Sequence, residues 1–170
     1  MVGRAVAELS SRERAELRLR QLGFVFQAYN LVPVLTAREN VEFVLELQGV
    51  GRERHDQAAA VLDELDLIDL ADRRPSEMSG GQQQRVAVAR AVASRPALVL
   101  ADEPTANLDG HNAHVLLAMM GRLNAQHGTT FLFSTHDPRV VAHARRVITL
   151  VDGRVTEDRV KEADVTEVGP

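Results

Sequence analysis

The sequence predicts an α/β fold, with a mainly parallel sheet flanked by helices and an all-helical subdomain added to it. Two apolar runs, residues 97–101 and 129–134, are continuous rather than alternating, which is typical of strands buried on both faces of a parallel sheet. Helical patterns alternate with these runs in the C-terminal half, as they do in α/β folds. Residues 37–70 contain helical patterns alone, so we expect a helical insert on an α/β core.

Composition and charge exclude several classes of protein. The chain has 170 residues, which suits one domain, and 45% of them are hydrophobic, which is ordinary for a globular protein. A net charge of -4 argues against a general nucleic-acid binder, and the lack of cysteine excludes disulfides and thiolate metal sites. No apolar run reaches the roughly 18 residues of a membrane span, and the N-terminus lacks the apolar centre of a signal peptide. We therefore expect a cytoplasmic chain that meets a membrane only through a partner.

Local patterns predict each element in turn. A capped helix is expected over residues 12–21, because Ser10 precedes this run and Glu13 lies early in it, and Gly23 is expected to end the helix. Residues 24–26 form a short strand candidate. The other predicted elements are helices over 37–48, 57–65, 82–94 and 111–126, the two apolar strands, and a closing hairpin of 146–151 with 154–155. The predicted division is a partial core over 1–36, a helical subdomain over 37–95, the rest of the core over 96–160 and a polar, disordered tail over 161–170.

A serine and two glycines precede the helix predicted over residues 82–94. At a helix N-terminus, Ser79, Gly80 and Gly81 present a hydroxyl, free backbone N–H groups and the positive end of the helix dipole, which together form an anion site. The ordinary alternative is a helix cap followed by flexible glycines, and a segment of this kind taken alone is usually a cap.

Two adjacent carboxylates, Asp102 and Glu103, follow the apolar run 97–101. Open α/β sheets bind ligands at the C-terminal ends of their strands. There, one carboxylate can hold Mg²⁺ and the next can deprotonate an attacking water. His136 follows the second apolar run and is expected at the same sheet edge if the strands are parallel neighbours. Gln27 follows the first strand candidate and carries little information by itself.

Taken together and in this order, these segments resemble the nucleotide-binding domain of ABC transporters, over roughly Val2 to Arg159. The matching residues are Gln27 of the Q-loop, Ser79–Gly80–Gly81–Gln82 of the signature with Met78 where leucine is usual, Val99 to Glu103 of the Walker B strand, Ala106–Asn107–Leu108–Asp109 of the D-loop, and His136 of the switch. Residues 23–42 and the VDGRV segment look most like the lipoprotein-release and macrolide-export class. The fold implied is a P-loop NTPase-like ABC ATPase core with an all-helical signature subdomain.

The resemblance implies ATP and Mg²⁺ as cofactors and a role for each matching residue. Asp102 would coordinate Mg²⁺ through water, Glu103 would be the general base, and His136 would contact the γ-phosphate. Gln27 would touch the metal or the attacking water and sense a membrane subunit. The signature residues Ser79, Gly80, Gly81 and Gln82 would contact ATP held by a second, head-to-tail subunit, and Asp109 would help to join the two subunits. The other implied partner is an integral membrane permease, which would keep the chain at the inner face of the membrane.

The phosphate-binding loop of this family is not found in the sequence. Its pattern, Gly-x₄-Gly-Lys-Ser/Thr, needs a lysine after a glycine, and the sole lysine, Lys161, has no glycine before it. Residues 2–4 resemble the family's segment after its second strand, so we expect an N-terminal truncation of roughly 50 residues. Such a chain is expected not to hydrolyse ATP alone. Losing the helix after the loop would also leave Val99, Leu100, Phe131 and Phe133 partly uncovered, which predicts low stability and aggregation.

Two other interpretations stay open at this stage. The chain could be a binding module that adds only its signature segment to the ATP site of another ABC ATPase. It could also be a non-transport ABC ATPase, such as a DNA-repair head or a translation factor. DNA-repair heads carry long coiled coils between the Q-loop and the signature, whereas here only the short helical segment 37–70 fills that gap.

Overall fold

The computed structural model describes residues 5–161. The predicted polar tail beyond Lys161, and residues 2–4, lie outside the described residues. Six α-helices and five strands are formed in this range: α1 Ser11–Gln21, β1 Leu22–Val25, α2 Ala37–Leu47, α3 Arg54–Glu64, α4 Gly80–Val92, β2 Leu98–Asp102, α5 Gly110–His127, β3 Thr130–Ser134, α6 Pro138–His143, β4 Arg146–Val151 and β5 Arg154–Val160. Short 3₁₀ turns cover Val6–Glu8, Ile68–Leu70 and Pro75–Glu77. Within this range no helix is both long and apolar enough to cross a membrane.

The strands form two separate sheets. β1, β2 and β3 are parallel and lie side by side with β2 in the middle. The register places Ala101 beside Val25 on one side and beside Phe133 on the other, so the C-terminal ends of all three strands meet at one edge. β4 and β5 form an antiparallel hairpin. The parallel sheet and the purely helical segment between β1 and β2 agree with the predicted α/β architecture.

Three helices begin with the same local device. Ser10, Thr36 and Ser79 each accept a hydrogen bond from the backbone N–H three residues on, and the side chain of that third residue bonds back to the cap's own N–H. Such capping boxes satisfy two backbone donors that a helix start would otherwise leave without partners. The short polar segments before these helices therefore specify where α1, α2 and α4 begin.

One local prediction is wrong, and one helix was not predicted. Gly23 does not end α1, because the helix stops at Gln21 and Gly23 lies inside β1. A Cβ at Gly23 would come closer than 3.0 Å to the backbone oxygen of Ala91, so the glycine serves a close approach between β1 and α4. Helix α6 was not predicted, although Asp137 caps it and Pro138 occupies its first turn, which is a common helix start.

One face of the parallel sheet is covered by helix α4. Val99 is fully buried, and its side chain lies beside the Gly23–Ala91 contact, so the prediction that Val99 is partly uncovered is wrong. Leu100, whose side chain alternates to the other face, is half-buried. Phe131 and Phe133 of the edge strand, which share the face of Val99 and Ala101, are also half-buried. Leu132, beside Leu100 in the register, is 55% exposed. The second face of the sheet is thus apolar and only partly covered by the described residues.

Candidate functional site

Three predicted site residues meet at the C-terminal edge of the parallel sheet. Gln27 follows β1, Glu103 directly follows β2, and His136 lies two residues beyond β3. The parallel register brings these strand ends side by side. Three residues that are far apart in sequence therefore come to one edge, which is where α/β sheets bind ligands.

Glu103 and His136 are in direct contact. The Nδ1 atom of His136 lies 2.5 Å from Oε1 of Glu103, and the backbone N–H of His136 donates to the same oxygen at 3.2 Å. The hydroxyl of Thr135 donates to the other carboxylate oxygen at 2.9 Å. The Glu103 carboxylate therefore accepts three hydrogen bonds from the loop after β3.

These contacts determine the charge and tautomer of the pair. Desolvation alone would raise the pKa of Glu103, but the hydrogen bonds from His136 and Thr135 outweigh it and hold that pKa below its ordinary value. A carboxylate that is ionised at neutral pH can only accept, so Nδ1 of His136 carries the proton. The other ring nitrogen then points away from Glu103, on a side chain that is 89% exposed.

Asp102 and Gln27 offer oxygen ligands at the same edge. Both residues are exposed, and the backbone oxygen of Gln27 accepts a 3.0 Å hydrogen bond from Asn107 of the predicted D-loop. Residues 5–161 contain no cluster of three or more His, Asp or Glu side chains suited to a metal. Mg²⁺ takes one or two protein carboxylates and completes its shell with water and substrate phosphates, so the single exposed carboxylate of Asp102, at the same edge as Gln27, fits Mg²⁺.

The predicted anion site and the predicted cap are the same structure. The Ser79 hydroxyl accepts from the backbone N–H of Gln82 at 3.3 Å, and the Gln82 side chain accepts from the backbone N–H of Ser79 at 2.8 Å. Ser79 is exposed and Gly80 half-buried. The positive dipole end of α4 thus lies close to the surface at Ser79 and Gly80, whereas the cap occupies the N–H of Gln82 and Gly81 is buried.

Both signature glycines lie close to side chains of the same chain. A Cβ at Gly80 would lie 2.7 Å from the Tyr29 hydroxyl, and a Cβ at Gly81 would lie 2.6 Å from Oδ1 of Asn112. Asn112 is in turn held by Asp109, which accepts from its backbone N–H at 2.8 Å and from its side chain at 2.7 Å. The signature segment therefore packs between the segment after Gln27 and the D-loop.

Arg90 of α4 holds the segment that follows Gln27, a contact that the sequence did not reveal. Its guanidinium donates to the backbone oxygen of Tyr29 at 3.0 Å and also to that of Asn30. Tyr29 and Asn30 have φ values of 59° and 50°, which are costly for residues other than glycine. One arginine thus holds two consecutive residues in the left-handed conformation. The sequence signal for a turn at this place is the asparagine, which tolerates that conformation.

A second hydrogen-bond network that the sequence did not predict is centred on Asp137, the residue after His136. Thr105 is fully buried, and its hydroxyl donates to Asp137 at 2.5 Å. Arg139 donates to both oxygens of the same carboxylate, at 3.0 and 2.7 Å. The hydrogen bonds from Arg139, reinforced by that from Thr105, lower the pKa of Asp137 far below its ordinary value, although desolvation opposes this.

Asp137→Asn is expected to lower the free energy of unfolding by about 2 kcal/mol at neutral pH, because the variant loses charge-assisted hydrogen bonds in a buried site. The folded-state pKa of Asp137 is depressed, so its contribution is complete above the ordinary aspartate pKa and is lost as the pH falls below it. Urea unfolding at pH 7 and at about pH 3, below the ordinary aspartate pKa, should show the difference between the two proteins shrinking in acid. Asp158→Asn, which removes an exposed partner of Arg146, should cost much less. Equal effects of the two substitutions would contradict this account.

The sole lysine is occupied away from the site. Lys161 donates from Nζ to the backbone oxygens of Val141 and Ala142, at 2.8 and 2.7 Å. These oxygens lie at the C-terminal end of α6, where a cation is favourable. Lys161 therefore does not take the place of a phosphate-loop lysine.

The chain is similar in structure to solved ABC cassettes. The dimeric structure of MJ0796, a bacterial ABC transporter cassette, superposes with a TM-score of 0.81 at 38% identity and covers 93% of this chain and 70% of that one. A post-hydrolysis state of the same cassette, bound to ADP and Pi, gives a TM-score of 0.82 at 36% identity, over 96% and 72%. The predicted ABC ATPase fold is confirmed by this likeness.

Curated relatives and a family model give the same answer from the sequence. The lipoprotein-releasing system ATP-binding protein LolD 2 of Rhodospirillum rubrum is 48% identical over 158 residues, covering 91% of this chain and 68% of that protein. The macrolide export ATP-binding/permease protein MacB of Burkholderia pseudomallei is 45% identical over 170 residues, covering 99% of this chain. The chain spans only 26% of the length of that relative. The family model described as ABC transporter matches residues 3–106, and the chain belongs to this family.

Proposed function

We propose that the chain is the ATP-binding and ATP-hydrolysing part of an ABC transporter of the lipoprotein-release or macrolide-export class. The observation that carries this proposal is the contact between Glu103 and His136 at the shared end of the parallel strands. A carboxylate at this strand end, ionised at neutral pH, can accept a proton from an attacking water once it is released from hydrogen bonds that lower its basicity. The names of the relatives supply the class of transporter.

The proposal gives each residue at the sheet edge a task. Glu103 accepts the proton of the attacking water, for which it gives up one of its present hydrogen bonds. His136 directs its outer ring nitrogen toward the γ-phosphate, and donates a hydrogen bond there when both ring nitrogens are protonated. Asp102 and Gln27 hold Mg²⁺, in part through water. When bound, ATP supplies the scissile phosphate and Mg²⁺ neutralises its charge.

The signature segment works on a different nucleotide in this proposal. Ser79, Gly80, Gly81 and Gln82 at the start of α4 contact the γ-phosphate of ATP held by a second subunit, arranged head to tail. Asp109 lies near this segment, because it accepts a hydrogen bond from Asn112, whose side chain packs against Gly81. It belongs to the contact between the two subunits. Support comes from the surface position of Ser79 and from a similar cassette solved as a dimer.

A membrane permease is the proposed second partner. The helical segment between Gln27 and the signature would dock it, with Tyr29 and Glu39 near the contact. Arg90 ties this segment to α4, which would carry a movement of the permease to the signature. The chain then lies on the inner face of the membrane as a peripheral subunit.

By itself the 170-residue chain is expected not to bind Mg-ATP. No phosphate loop occurs in the sequence, and the only lysine is engaged at the end of α6. Equilibrium binding of a fluorescent ATP analogue should therefore give no signal up to millimolar nucleotide, while circular dichroism confirms that the chain is folded. Micromolar binding that Asp102→Ala abolishes would show that another part of the chain replaces the loop.

A second candidate is a subunit that lends only its signature to another ABC ATPase. The exposed, capped start of α4 favours it, because this part of the site is complete without the phosphate loop. Mixing the chain with a full-length homologue in the presence of ATP should then change the ATPase rate. The effect should disappear with Ser79→Arg in the added chain, and an unchanged rate with the unmodified chain would rule this candidate out.

A further inference from the structure

Gln84 is a buried amide in an apolar part of helix α4. It is fully buried, and its neighbours Val86, Ala87, Val88 and Ala89 are buried as well. Its side-chain Nε2 donates to the backbone oxygen of Pro104 at 2.8 Å. Because a carbonyl oxygen can only accept, this contact determines which way the amide faces. The amide oxygen has no partner among the described residues.

Such a side chain is poorly explained by stability. A buried polar atom without a partner costs about 1–3 kcal/mol, and an apolar side chain of similar shape at the same place is often neutral or stabilising. Within residues 5–161 the amide donates one hydrogen bond, and that bond goes to the residue after Glu103. The position of the bond therefore suggests what the amide is for.

Glu103 needs to be held in place. Its φ value is 43°, in the left-handed region that is costly for a side chain of this size. The backbone ties around it are the bond from its N–H to Ser134 at 2.9 Å and the bond that its oxygen accepts from Ala106 at 3.2 Å. Gln84 adds a third hydrogen bond, to the backbone oxygen of the next residue, Pro104. This bond comes from α4, the helix that carries the signature segment.

Thr105, the residue after Pro104, is held by the loop that follows β3. The buried hydroxyl of Thr105 donates to Asp137, the residue after His136. The turn after Glu103 is thus fastened to α4 through Gln84 and to the loop after β3 through Thr105. Removing either fastening would let the peptide next to Glu103 relax from its strained conformation.

We infer that Gln84 is a positioning residue, which holds Glu103 against His136 by fixing the Pro104 peptide to the signature helix. The inference rests on the proposed function in one respect, the role of Glu103 as general base. It adds a link within one chain between the signature segment, which contacts the nucleotide of the partner subunit, and Glu103, which acts on the nucleotide of its own subunit. A shift of α4 would reach Glu103 through a single hydrogen bond.

The test is the ring tautomer of His136 in the 170-residue chain, read from ¹⁵N shifts of labelled histidine at pH 8. In the unmodified chain the ionised Glu103 keeps the proton on Nδ1. Gln84→Met keeps the shape of the side chain and removes the amide, so Glu103 is expected to leave His136. The tautomer should then move to the Nε2–H form that free histidine prefers, with an unchanged or higher Tm. His136→Asn assigns the signal.

Gln83→Met is the matched control, because Gln83 lies next along α4 and donates instead to the backbone oxygen of Met78. It should leave the tautomer of His136 unchanged. A folded Gln84→Met chain with the tautomer still on Nδ1 would overturn the inference. Loss of the fold in both Gln84→Met and Gln84→Leu, with Gln83→Met folded, would also overturn it by assigning Gln84 a purely structural role.

This measurement needs no nucleotide, so its outcome is separate from that of the proposed function. A chain that never hydrolyses ATP, even when a phosphate loop is supplied, would contradict the proposed function and leave the tautomer result standing. A tautomer insensitive to Gln84 would contradict the positioning role and leave ATP hydrolysis possible.

Discussion

Gly23→Ala is expected to leave the chain largely unfolded, with a loss of about 3 kcal/mol or more in the free energy of unfolding. The added Cβ would come closer than 3.0 Å to the backbone oxygen of Ala91 and would lie 3.0 Å from a methyl group of Val99. A backbone oxygen in a helix cannot move aside as a flexible side chain can. Strand β1 and helix α4 would have to separate, and the core between them would open. Urea unfolding followed by circular dichroism measures the change.

Gly121→Ala is the matched control for this substitution. Gly121 lies inside α5, is exposed, and has no atom within 4 Å of the place where a Cβ would be. Alanine there should stabilise the chain by about 1 kcal/mol, because glycine is a poor helix former. The same chemical change is thus expected to act in opposite directions at the two positions. An unfolding midpoint for Gly23→Ala at or above that of the unmodified chain would refute the close approach of β1 and α4.

Glu103→Gln should have the largest effect on activity once a phosphate loop is supplied. The loop-completed chain carries the corresponding N-terminal segment of the Rhodospirillum rubrum relative ahead of Met1. We expect it to hydrolyse Mg-ATP, and Glu103→Gln to lower kcat by about 10²- to 10⁴-fold, the usual contribution of a general base. The KM for ATP should change little, since the amide keeps the shape and can still accept hydrogen bonds. Steady-state phosphate release measures both parameters.

Glu46→Gln provides the comparison for this prediction, because Glu46 is an exposed glutamate on α2, away from the sheet edge. It should leave kcat unchanged. A completed chain in which Glu103→Gln hydrolyses ATP at the unmodified rate would remove Glu103 from the role of base. His136→Ala in the same background should also reduce kcat, since the imidazole contacts both the base and the space where the γ-phosphate is proposed to lie.

The elements that could be predicted from sequence are those whose signals are local. The capping serine and glutamate of α1, and the continuous apolar runs of β2 and β3, act through neighbours close in the chain or through burial on both faces. Gly23 was misjudged for the opposite reason. A glycine after a helix usually ends it, and here the glycine is required by Ala91, a residue far along the chain. Helix α6 is short, and its Asp-Pro start was overlooked.

The residues of the site also divide into those that local sequence signals could identify and those that they could not. Asp102, Glu103 and His136 could be chosen because each follows an apolar run, and parallel strands end together. The hydrogen bond between Glu103 and His136 needs the register of β2 against β3, which no local pattern specifies. Arg90 could not be identified at all, because an arginine on a helix is ordinarily a solvated side chain. Its role depends on two left-handed residues about sixty positions earlier.

The antiparallel hairpin of β4 and β5 stands apart from the rest of the fold in energetic terms. Every residue of β5 is exposed, and the apolar side chains of Ile148, Leu150 and Val155 lie largely in solvent. A two-stranded hairpin is marginally stable when little else packs on it. Its backbone amides should therefore exchange with deuterium through local opening, at a much lower free energy than those of α4 and β2. The molecule then has at least two cooperative units, and a single melting temperature would describe only one of them.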